Sequence, residues 1–175
     1  MSGAADPFVV RRLDAITEAQ IQGLAAVLVD CVDANASVSF MRPLSLDKAA
    51  AFWRDVGEAV RRGERMLFVA QDATGIVGTV QLLVDLPENQ PHRADVAKML
   101  VHRCARRIGV GQGLMHAAER AARDAGKTLL VLDTASADAE RLYERSGWQR
   151  CGTIPGFALL PDGTPCATTF FYRTL

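Results

Sequence analysis

The sequence predicts an α/β (α+β) protein with a mixed, mostly antiparallel sheet of about seven strands, a central parallel pair and flanking helices. The main observation is the order of the predicted elements, β-α-α-β-β-β-α-β-α-β-β. In its middle, a strand at 94–101, a helix at 110–125 and a strand at 128–132 form one β-α-β unit, whose strands should be parallel neighbours with a right-handed crossover. Two apolar runs, 66–70 and 76–84, predict an antiparallel hairpin.

The first part of the chain predicts one strand and two helices. Residues 8–13 form the expected strand. Thr17 should begin the first helix because Gln20, three residues later, completes a capping box, and this helix should end near Asp33. Ser45 is the expected N-cap of the second helix, whose apolar residues recur on one face at helical spacing.

The middle of the chain is marked by turn residues. The hairpin turn is expected at 72–75, and residues 85–93, which include two prolines, should form a loop. The helix of the β-α-β unit should end at Gly126, because glycine suits a helix C-terminus. The continuous apolar run 128–132 predicts a strand that is covered on both faces of the sheet.

The last part predicts one more helix and two strands. The helix is expected at 137–146, where Gly147 ends it. The strands are expected near 148–154 and 167–173, and residues 153–166 between them should be rich in loops.

Composition excludes several classes of protein. The 175 residues are expected to form one domain, residues 1–175. With 20 basic and 20 acidic residues the formal net charge is zero, so nothing drives binding to nucleic acid or to an anionic membrane. The four cysteines form no Cys-x-x-Cys pair and the three histidines are scattered, so free thiols and no metal site are expected. Residues 1–7 carry no secretory signal and no apolar run approaches the ~20 residues of a membrane span, so a cytoplasmic protein is expected.

The motif with the clearest chemistry is Arg-Arg-Ile-Gly-Val-Gly at 106–111. Its glycines let the backbone approach a ligand, and the helix N-terminus that follows leaves several N–H groups unpaired. With two arginines beside it, this phosphate loop (residues 106–111) predicts a pyrophosphate site. It is not a dinucleotide fingerprint, because Leu114 stands at the third glycine position, and it lacks the Gly-Lys-Ser/Thr ending of a P-loop. A tight turn with two solvated arginines remains the alternative.

Two motifs together resemble the GCN5-related N-acetyltransferases, the GNAT family. The first is the Arg-x-x-Gly-x-Gly spacing of the phosphate loop, which resembles the family's coenzyme A loop. The second is the pattern Ser-x-x-Ala-x-x-x-Tyr-x-x-x-Gly-Trp at 136–148, where family members usually have Asn in place of Ser136 and Phe in place of Trp148. The resemblance implies the acyl-CoA N-acyltransferase (GNAT) fold, an acyltransferase enzyme and acetyl-CoA as its cosubstrate.

Scattered segments are similar to the tabtoxin-resistance acetyltransferases, which acetylate a small amino-acid-like β-lactam toxin. The segments include 37–41, 93–101, 132–134, 155–157 and 161–163. This similarity implies a small-molecule amine as the acceptor and a role in resistance to a toxin or antibiotic.

The resemblance also implies which residues contact the cofactor. The end of the central strand should pair through its backbone with the pantetheine arm, and the phosphate loop should hold the pyrophosphate. The implied contacts are Met99, Leu100, Val101, Arg106, Arg107, Ile108, Gly109, Val110, Gly111, Gln112 and Ser136. At Ser136 the side-chain amide of the usual Asn is missing, although serine can still cap the helix.

The resemblance places Tyr143 beside the thioester sulfur. A phenol is protonated at pH 7, so Tyr143 could donate to the departing thiolate. Asp133, at the end of a central strand, is the first candidate for the base or for the carboxylate that orients the amine, and Asp95 is the second; water chains are a further possibility. Asp133 could instead cap the helix that follows it.

Four residues are candidates for substrate binding: Phe40, Met41, Asp95 and Phe157. For Phe40 and Met41 the alternative is core packing under the second helix. We expect direct acetyl transfer to a small amine in a ternary complex. Cys104 is expected to be an incidental thiol in a loop. A homodimer is a possible oligomeric state. The alternatives are a protein or peptide N-acetyltransferase and a non-catalytic module that binds acyl-CoA or sequesters a toxin.

Overall fold

The computed structural model describes residues 7–175. In chain order, its elements are β1 (Val9–Leu13), α1 (Glu18–Asp33), α2 (Leu46–Arg61), β2 (Arg65–Asp72), β3 (Gly75–Leu83), β4 (Arg93–Val101), α3 (Val110–Asp124), β5 (Leu129–Thr134), α4 (Ala137–Arg145), β6 (Gln149–Leu159) and β7 (Pro165–Thr174). One turn of 3₁₀ helix, Arg103–Ala105, lies between β4 and α3 and was not predicted. The predicted order of strands and α-helices is confirmed. The prediction that residues 1–7 carry no secretory signal concerns a stretch whose first six residues lie outside the described ones.

All seven strands join one sheet in the order β1-β2-β3-β4-β5-β7-β6. The pair β4–β5 is parallel, and the other neighbouring pairs are antiparallel. The predicted fold class is therefore confirmed. The parallel pairing extends only from Arg93–Leu129 to Asp95–Val131, after which the two strands are no longer paired.

Helices cover both faces of the sheet. The apolar sides of α1 and α2 pack on one face, where Leu24, Leu28 and Trp53 are fully buried. The opposite face is covered by α3 and α4, which bury Leu114 and Tyr143 against the sheet. Each face thus has its own core, and the sheet separates the two.

The helix starts follow from local sequence. Thr17 accepts a hydrogen bond from the Gln20 backbone N–H, and the Gln20 side chain accepts one from the Thr17 N–H, so the predicted capping box is confirmed. Ser45 caps α2 by accepting from the Lys48 N–H at 3.2 Å. These side chains satisfy N–H groups that have no partner inside the helix.

The prediction that β5 is covered on both faces is wrong. Leu130 and Leu132 are buried beneath α3 and α4, but Val131 is only half-buried and Asp133 is exposed. In the part of the chain that the structure describes, the core under α1 and α2 contains no β5 residue. The reason is that these helices lie over β2 and β3 and leave the face of β5 beside them open.

The prediction of a loop-rich segment at 153–166 is also wrong. β6 and β7 form one long hairpin, and the turn between them is short. The pairing is irregular at two places, between Arg150 and Gly152 and between Ile154 and Ala158, and Gly156 in the second has a positive φ of 62°. Pro155 and Gly156 therefore mark a bulge inside a strand and do not end it.

Among residues 7–175, no helix combines the length and the apolar character that crossing a bilayer requires.

Candidate active site

An opening in the sheet lies where the two parallel strands separate. Beyond Asp95, β4 stays paired with β3 on one side, but on its other side no strand among residues 7–175 pairs with it. Lys98 and Met99 form a bulge, since two β4 residues stand opposite one β3 residue, and Lys98 has a φ of +50°. Unpaired backbone N–H and C=O groups of β4 therefore border the opening, where an extended ligand can bond to them.

The phosphate loop connects this opening to the start of α3. Arg107 has a φ of +67° and Gly109, the N-cap of α3, has a φ of +92°. The first backbone bond of the helix runs from the Gly113 N–H to the Gly109 carbonyl at 2.9 Å. The amides of residues 110–112 have no acceptor inside the helix, as at any helix N-terminus. Left-handed residues followed by free amides and the positive end of the helix dipole suit an anion.

The space around the loop glycines fits a group that needs bare backbone. A Cβ at Gly109 would have no neighbour within 4 Å, so this glycine borders open space, and its positive φ disfavours other residues. A Cβ at Gly111 would come within 3.1 Å of Leu142 Cδ2 on α4. Gly109 therefore leaves bare backbone at the surface where a pyrophosphate can approach, whereas Gly111 makes room for Leu142 of α4.

The two loop arginines differ in their surroundings. The Arg107 side chain is 81% exposed, and one guanidinium nitrogen lies 3.2 Å from a carboxylate oxygen of Asp138. The Arg106 Nε donates to the Val101 carbonyl at 3.2 Å, which ties the loop to the end of β4. The solvated-arginine alternative thus describes Arg107 better than Arg106.

Tyr143 lies in the core between α4 and the sheet, 4% exposed. Its ring packs against Trp148 and Phe171 at centroid distances of 5.9 and 5.8 Å. Burial, and secondly the negative charge of Asp133, raise the pKa of the Tyr143 phenol, so it stays protonated at neutral pH.

Asp133 lies at the carboxyl end of β5 and is exposed. Its carboxylate accepts a hydrogen bond from the Thr168 hydroxyl at 3.0 Å. It does not cap α4: Ser136 is the N-cap and accepts from the Ala139 N–H at 3.3 Å. The helix-capping alternative for Asp133 is therefore wrong.

Asp95 faces the same side of the sheet as Asp133, because it pairs with Val131. Its carboxylate forms an ion pair with Arg93 on the same strand. The two candidate carboxylates thus differ: Asp95 has a cationic partner, whereas Asp133 has a hydroxyl.

The three apolar substrate candidates, Phe40, Met41 and Phe157, are spread around the open face. Phe40 packs edge-to-face on Phe52 of α2, with ring centroids 5.3 Å apart, so its core-packing alternative is partly right. Met41 is 45% exposed and is not a core residue. Phe157 is 50% exposed and packs edge-to-face on Phe170 of β7 at 5.7 Å.

Lys98 is a residue of this face that the sequence interpretation missed. Its Nζ donates to Ser39 Oγ at 3.0 Å and lies 5.8 Å from the centre of the Phe52 ring. Burial and then the charge of Arg65 lower its pKa, while the charge of Asp133 acts in the opposite direction. A lysine inside an otherwise apolar strand was the available signal, but its bulge and positive φ depend on tertiary structure.

The segment between α1 and α2 closes one side of this face. Its Asn35 side chain donates to Asp162 at 2.9 Å, and the Arg42 N–H donates to the Pro161 carbonyl at 3.0 Å. These contacts hold the segment against the turn of the β6–β7 hairpin. The acceptor cleft, as we call the open face bordered by Lys98 and Asp133, is therefore enclosed by chain on this side.

The four cysteines are free thiols. Within residues 7–175, no three His, Cys, Asp or Glu side chains are grouped so that they could hold a metal ion.

A profile of the acetyltransferase (GNAT) domain matches residues 63–150, which is half of the chain and includes the opening, the phosphate loop and Tyr143. The chain belongs to the GNAT acetyltransferase family. It is an acetyltransferase, and its cofactor is acetyl-CoA.

Solved structures of several acetyltransferases share this fold over nearly their whole length. The ribosomal-protein-alanine N-acetyltransferase from Brucella melitensis superposes with a TM-score of 0.79 at 22% identity, covering 95% of this chain and 99% of that one. An N-acetyltransferase from Staphylococcus aureus Mu50 gives 0.79 at 16% identity, covering 95% and 98%. The yncA protein from Salmonella typhimurium, solved with its cofactor acetyl-CoA, gives 0.78 at 18% identity, covering 96% and 94%.

Proposed function

We propose that this GNAT acetyltransferase transfers acetyl directly to the amine of a small amino-acid-like molecule of the tabtoxinine-β-lactam type. The observation that carries the proposal is the pair of opposite charges at the acceptor cleft. Lys98 and Asp133 influence each other electrostatically, yet neither forms an ion pair with another of the described residues. A zwitterion that places its carboxylate near Lys98 and its amine near Asp133 would satisfy both charges.

The phosphate loop and the free edge of β4 are the proposed binding groups for acetyl-CoA. When bound, acetyl-CoA supplies the activated acetyl group. The amides of residues 110–112, with Gly109 and Gly111 beside them, would hold its pyrophosphate, and the backbone of residues 99–101 would bond to its pantetheine arm.

Tyr143 is the proposed proton donor. Burial, and secondly the charge of Asp133, raise the pKa of its hydroxyl, which therefore carries its proton at neutral pH. It is therefore free to give its proton to a leaving thiolate.

Asp133 is the proposed base or amine-orienting group. Its carboxylate is exposed and held by Thr168, so it can bind an ammonium and accept its proton directly or through water. Asp95 is the second choice because Arg93 already neutralises it.

The contacts that close the acceptor cleft favour a small acceptor over a peptide. A peptide acceptor would need an open groove, whereas the segment 35–42 is bonded to the turn of the β6–β7 hairpin. A protein or peptide N-acetyltransferase remains the second candidate, since the family contains both kinds.

The test begins with calorimetric titration of the purified protein with acetyl-CoA, followed by release of CoA thiol in the presence of an amine panel. The panel contains tabtoxinine-β-lactam, free amino acids, the same amino acids as amides and short peptides. We expect micromolar binding and release with the free amino-acid class. Release with peptides alone would contradict the proposal, and binding without release on any amine would favour a non-catalytic module.

A variant makes this test specific to Lys98. Lys98→Gln should raise KM about tenfold or more for a free amino acid, the effect of losing one charge-assisted hydrogen bond, and leave KM for its amide nearly unchanged. Lys48→Gln, an exposed lysine of α2, is the matched control and should change neither value. Equal effects of Lys98→Gln on the acid and the amide would contradict carboxylate recognition.

We further propose that the chain is one catalytic domain and that two copies form a homodimer through β6. β6 is the edge strand of the sheet, and nearly all of its residues are exposed. Ile154, Phe157 and Leu159 place large apolar side chains on it. An exposed apolar edge strand is a typical surface for self-association.

A further inference from the structure

A second cluster of reactive side chains lies outside the acceptor cleft, in the 3₁₀ turn after β4. His102 Nδ1 lies 2.9 Å from Cys104 Sγ. The other ring nitrogen, Nε2, lies 3.5 Å from a carboxylate oxygen of Asp30 on α1. A thiol beside an imidazole that is oriented by a carboxylate is the arrangement of an activated nucleophile.

The hydrogen bonds of this turn define the tautomer of His102. Its Nδ1 accepts the Cys104 backbone N–H at 3.3 Å, as the cap of the turn. In this arrangement Nδ1 carries no proton and Nε2 does, and Nε2 lies 3.5 Å from a carboxylate oxygen of Asp30. The nitrogen beside the thiol is the unprotonated one, and its single lone pair takes the thiol proton when the 3.3 Å bond from the Cys104 N–H is released.

Asp30 is fixed in position for this role. Its side chain is 9% exposed, and one carboxylate oxygen accepts the Arg103 N–H at 2.9 Å. The Arg103 guanidinium also contacts the carboxylate. Asp30 thus orients the imidazole while it shares its charge with an arginine.

A groove gives a small molecule access to the thiol. It has a volume of about 440 Å³, within the range of small-molecule sites. Its walls come from α1 and the β2–β3 turn, with Gln20, Gly23 and Thr74 among them, and both His102 and Cys104 line it. Among residues 7–175, no Asp, Glu, Lys or Arg lines it, and neither the phosphate loop nor the acceptor cleft contributes to it.

We propose that Cys104 is a nucleophilic thiol site that reacts with small uncharged disulfides bound in this groove. His102 Nδ1 takes the thiol proton, and the thiolate attacks one sulfur of the disulfide. A new S–S bond joins Cys104 to that half, the original S–S bond breaks, and the other half leaves as a thiolate that takes the proton from His102. The products are a mixed disulfide at Cys104 and one free thiol.

The test compares two exposed cysteines of the same protein, Cys104 and Cys151. The folded enzyme is treated briefly with 4,4′-dithiodipyridine at pH 7, and modification of each cysteine is measured by mass spectrometry of its peptide. We expect Cys104 to react about tenfold faster than Cys151, because only Cys104 has a base beside it. Equal rates would overturn the proposal, and this comparison needs no variant.

His102→Asn tests the role of the imidazole. Asparagine keeps a side-chain oxygen that can cap the turn, but it supplies no base. The rate at Cys104 should fall to that at Cys151, while the rate at Cys151 and the affinity for acetyl-CoA stay unchanged. His116→Asn is the control and should leave both rates as they were. If the faster reaction of Cys104 persists in His102→Asn, the proposed base is wrong.

Discussion

Tyr143 is held by its ring and not by its hydroxyl. Trp148 and Phe171 contact the ring on either side in tilted arrangements, and such aromatic pairs add about 0.5–1.5 kcal/mol each beyond simple burial. Removing the hydroxyl should therefore leave the position of the ring unchanged. This makes Tyr143 a residue at which chemistry and packing can be separated.

Tyr143→Phe should lower kcat by about 10²–10⁴-fold, the range expected for loss of a general acid. The affinity for acetyl-CoA, measured by calorimetry, should change little because the ring still fills its site. Tyr172→Phe is the matched control, since that hydroxyl bonds to Gln149 on the edge strand. An unchanged kcat in Tyr143→Phe would remove this residue from the mechanism.

Asp133→Asn should lower kcat/KM by about 10²–10⁴-fold if its carboxylate is the base. Thr168 can still donate to the amide oxygen, so the local structure should be kept. Asp95→Asn, which loses only its ion pair with Arg93, should cost less than about tenfold. Steady-state kinetics of both variants decide which carboxylate is the base. A larger loss of kcat/KM in Asp95→Asn than in Asp133→Asn would make Asp95 the better candidate.

At the scale of elements, two glycines can test whether the start of α3 is the proposed cofactor site. Gly109 and Gly163 form a natural pair of probes, because their φ values are +92° and +91° and a Cβ at either would have no neighbour within 4 Å. Only Gly109 lies in the phosphate loop. The two glycines thus carry the same backbone strain in different places.

Gly109→Ala and Gly163→Ala should each reduce the free energy of unfolding by about 1–2 kcal/mol, the cost of a left-handed residue with a side chain. Only Gly109→Ala should also weaken acetyl-CoA binding, by about tenfold to a hundredfold if one or two charge-assisted hydrogen bonds are lost. Gly111→Val should block binding, because a Cβ there comes within 3.1 Å of Leu142 Cδ2 and the start of α3, whose amides would face the pyrophosphate, has to shift. Normal acetyl-CoA affinity in Gly109→Ala and Gly111→Val would contradict the assignment of the loop.

How far each element could be predicted depends on how local its cause is. The start of α1 was predictable because Thr17 and Gln20 bond to each other's backbone within one turn. The open face of β5 was not, because an apolar run at 128–132 does not reveal where two distant helices lie. Pro155 and Gly156 are ordinary turn residues, yet pairing with β7 keeps them in a strand.

The residues of the candidate site also differ in how local the signal for them is. The phosphate loop and Tyr143 lie in motifs with fixed spacing, so the sequence named them. Lys98 enters the acceptor cleft only because β4 bulges there, and His102 comes between Cys104 and Asp30 only when the 3₁₀ turn forms against α1. Contacts between residues far apart in sequence leave no periodic signal to read.

For the whole molecule, burial of Tyr143 links stability to alkaline pH. A phenol whose pKa is raised by folding stabilises the protein fully below its unfolded pKa of about 10, and this contribution is lost as pH rises further. The wild-type protein should therefore lose stability from about pH 10 upward more steeply than Tyr143→Phe. Urea unfolding of both proteins at pH 8 and pH 10.5 measures the difference, and parallel losses would contradict the buried phenol.

The homodimer prediction also belongs to the whole molecule. Light scattering on the purified protein should give twice the mass of one chain at micromolar concentration. Ile154→Lys places a charge on the exposed edge of β6 and should give a monomer, while the exposed control Leu46→Lys on α2 should not. A wild-type monomer at these concentrations would contradict the proposal.

In the proposed binding mode, the stretch of β4 that β5 leaves unpaired recognises the acyl carrier through peptide groups, which every amino acid possesses. A mutation replaces a side chain, but the peptide N–H and C=O remain unless proline is introduced. Lineages that inherit this sheet can therefore exchange the residues around the acceptor cleft, and with them the amine that is accepted, while acyl transfer persists.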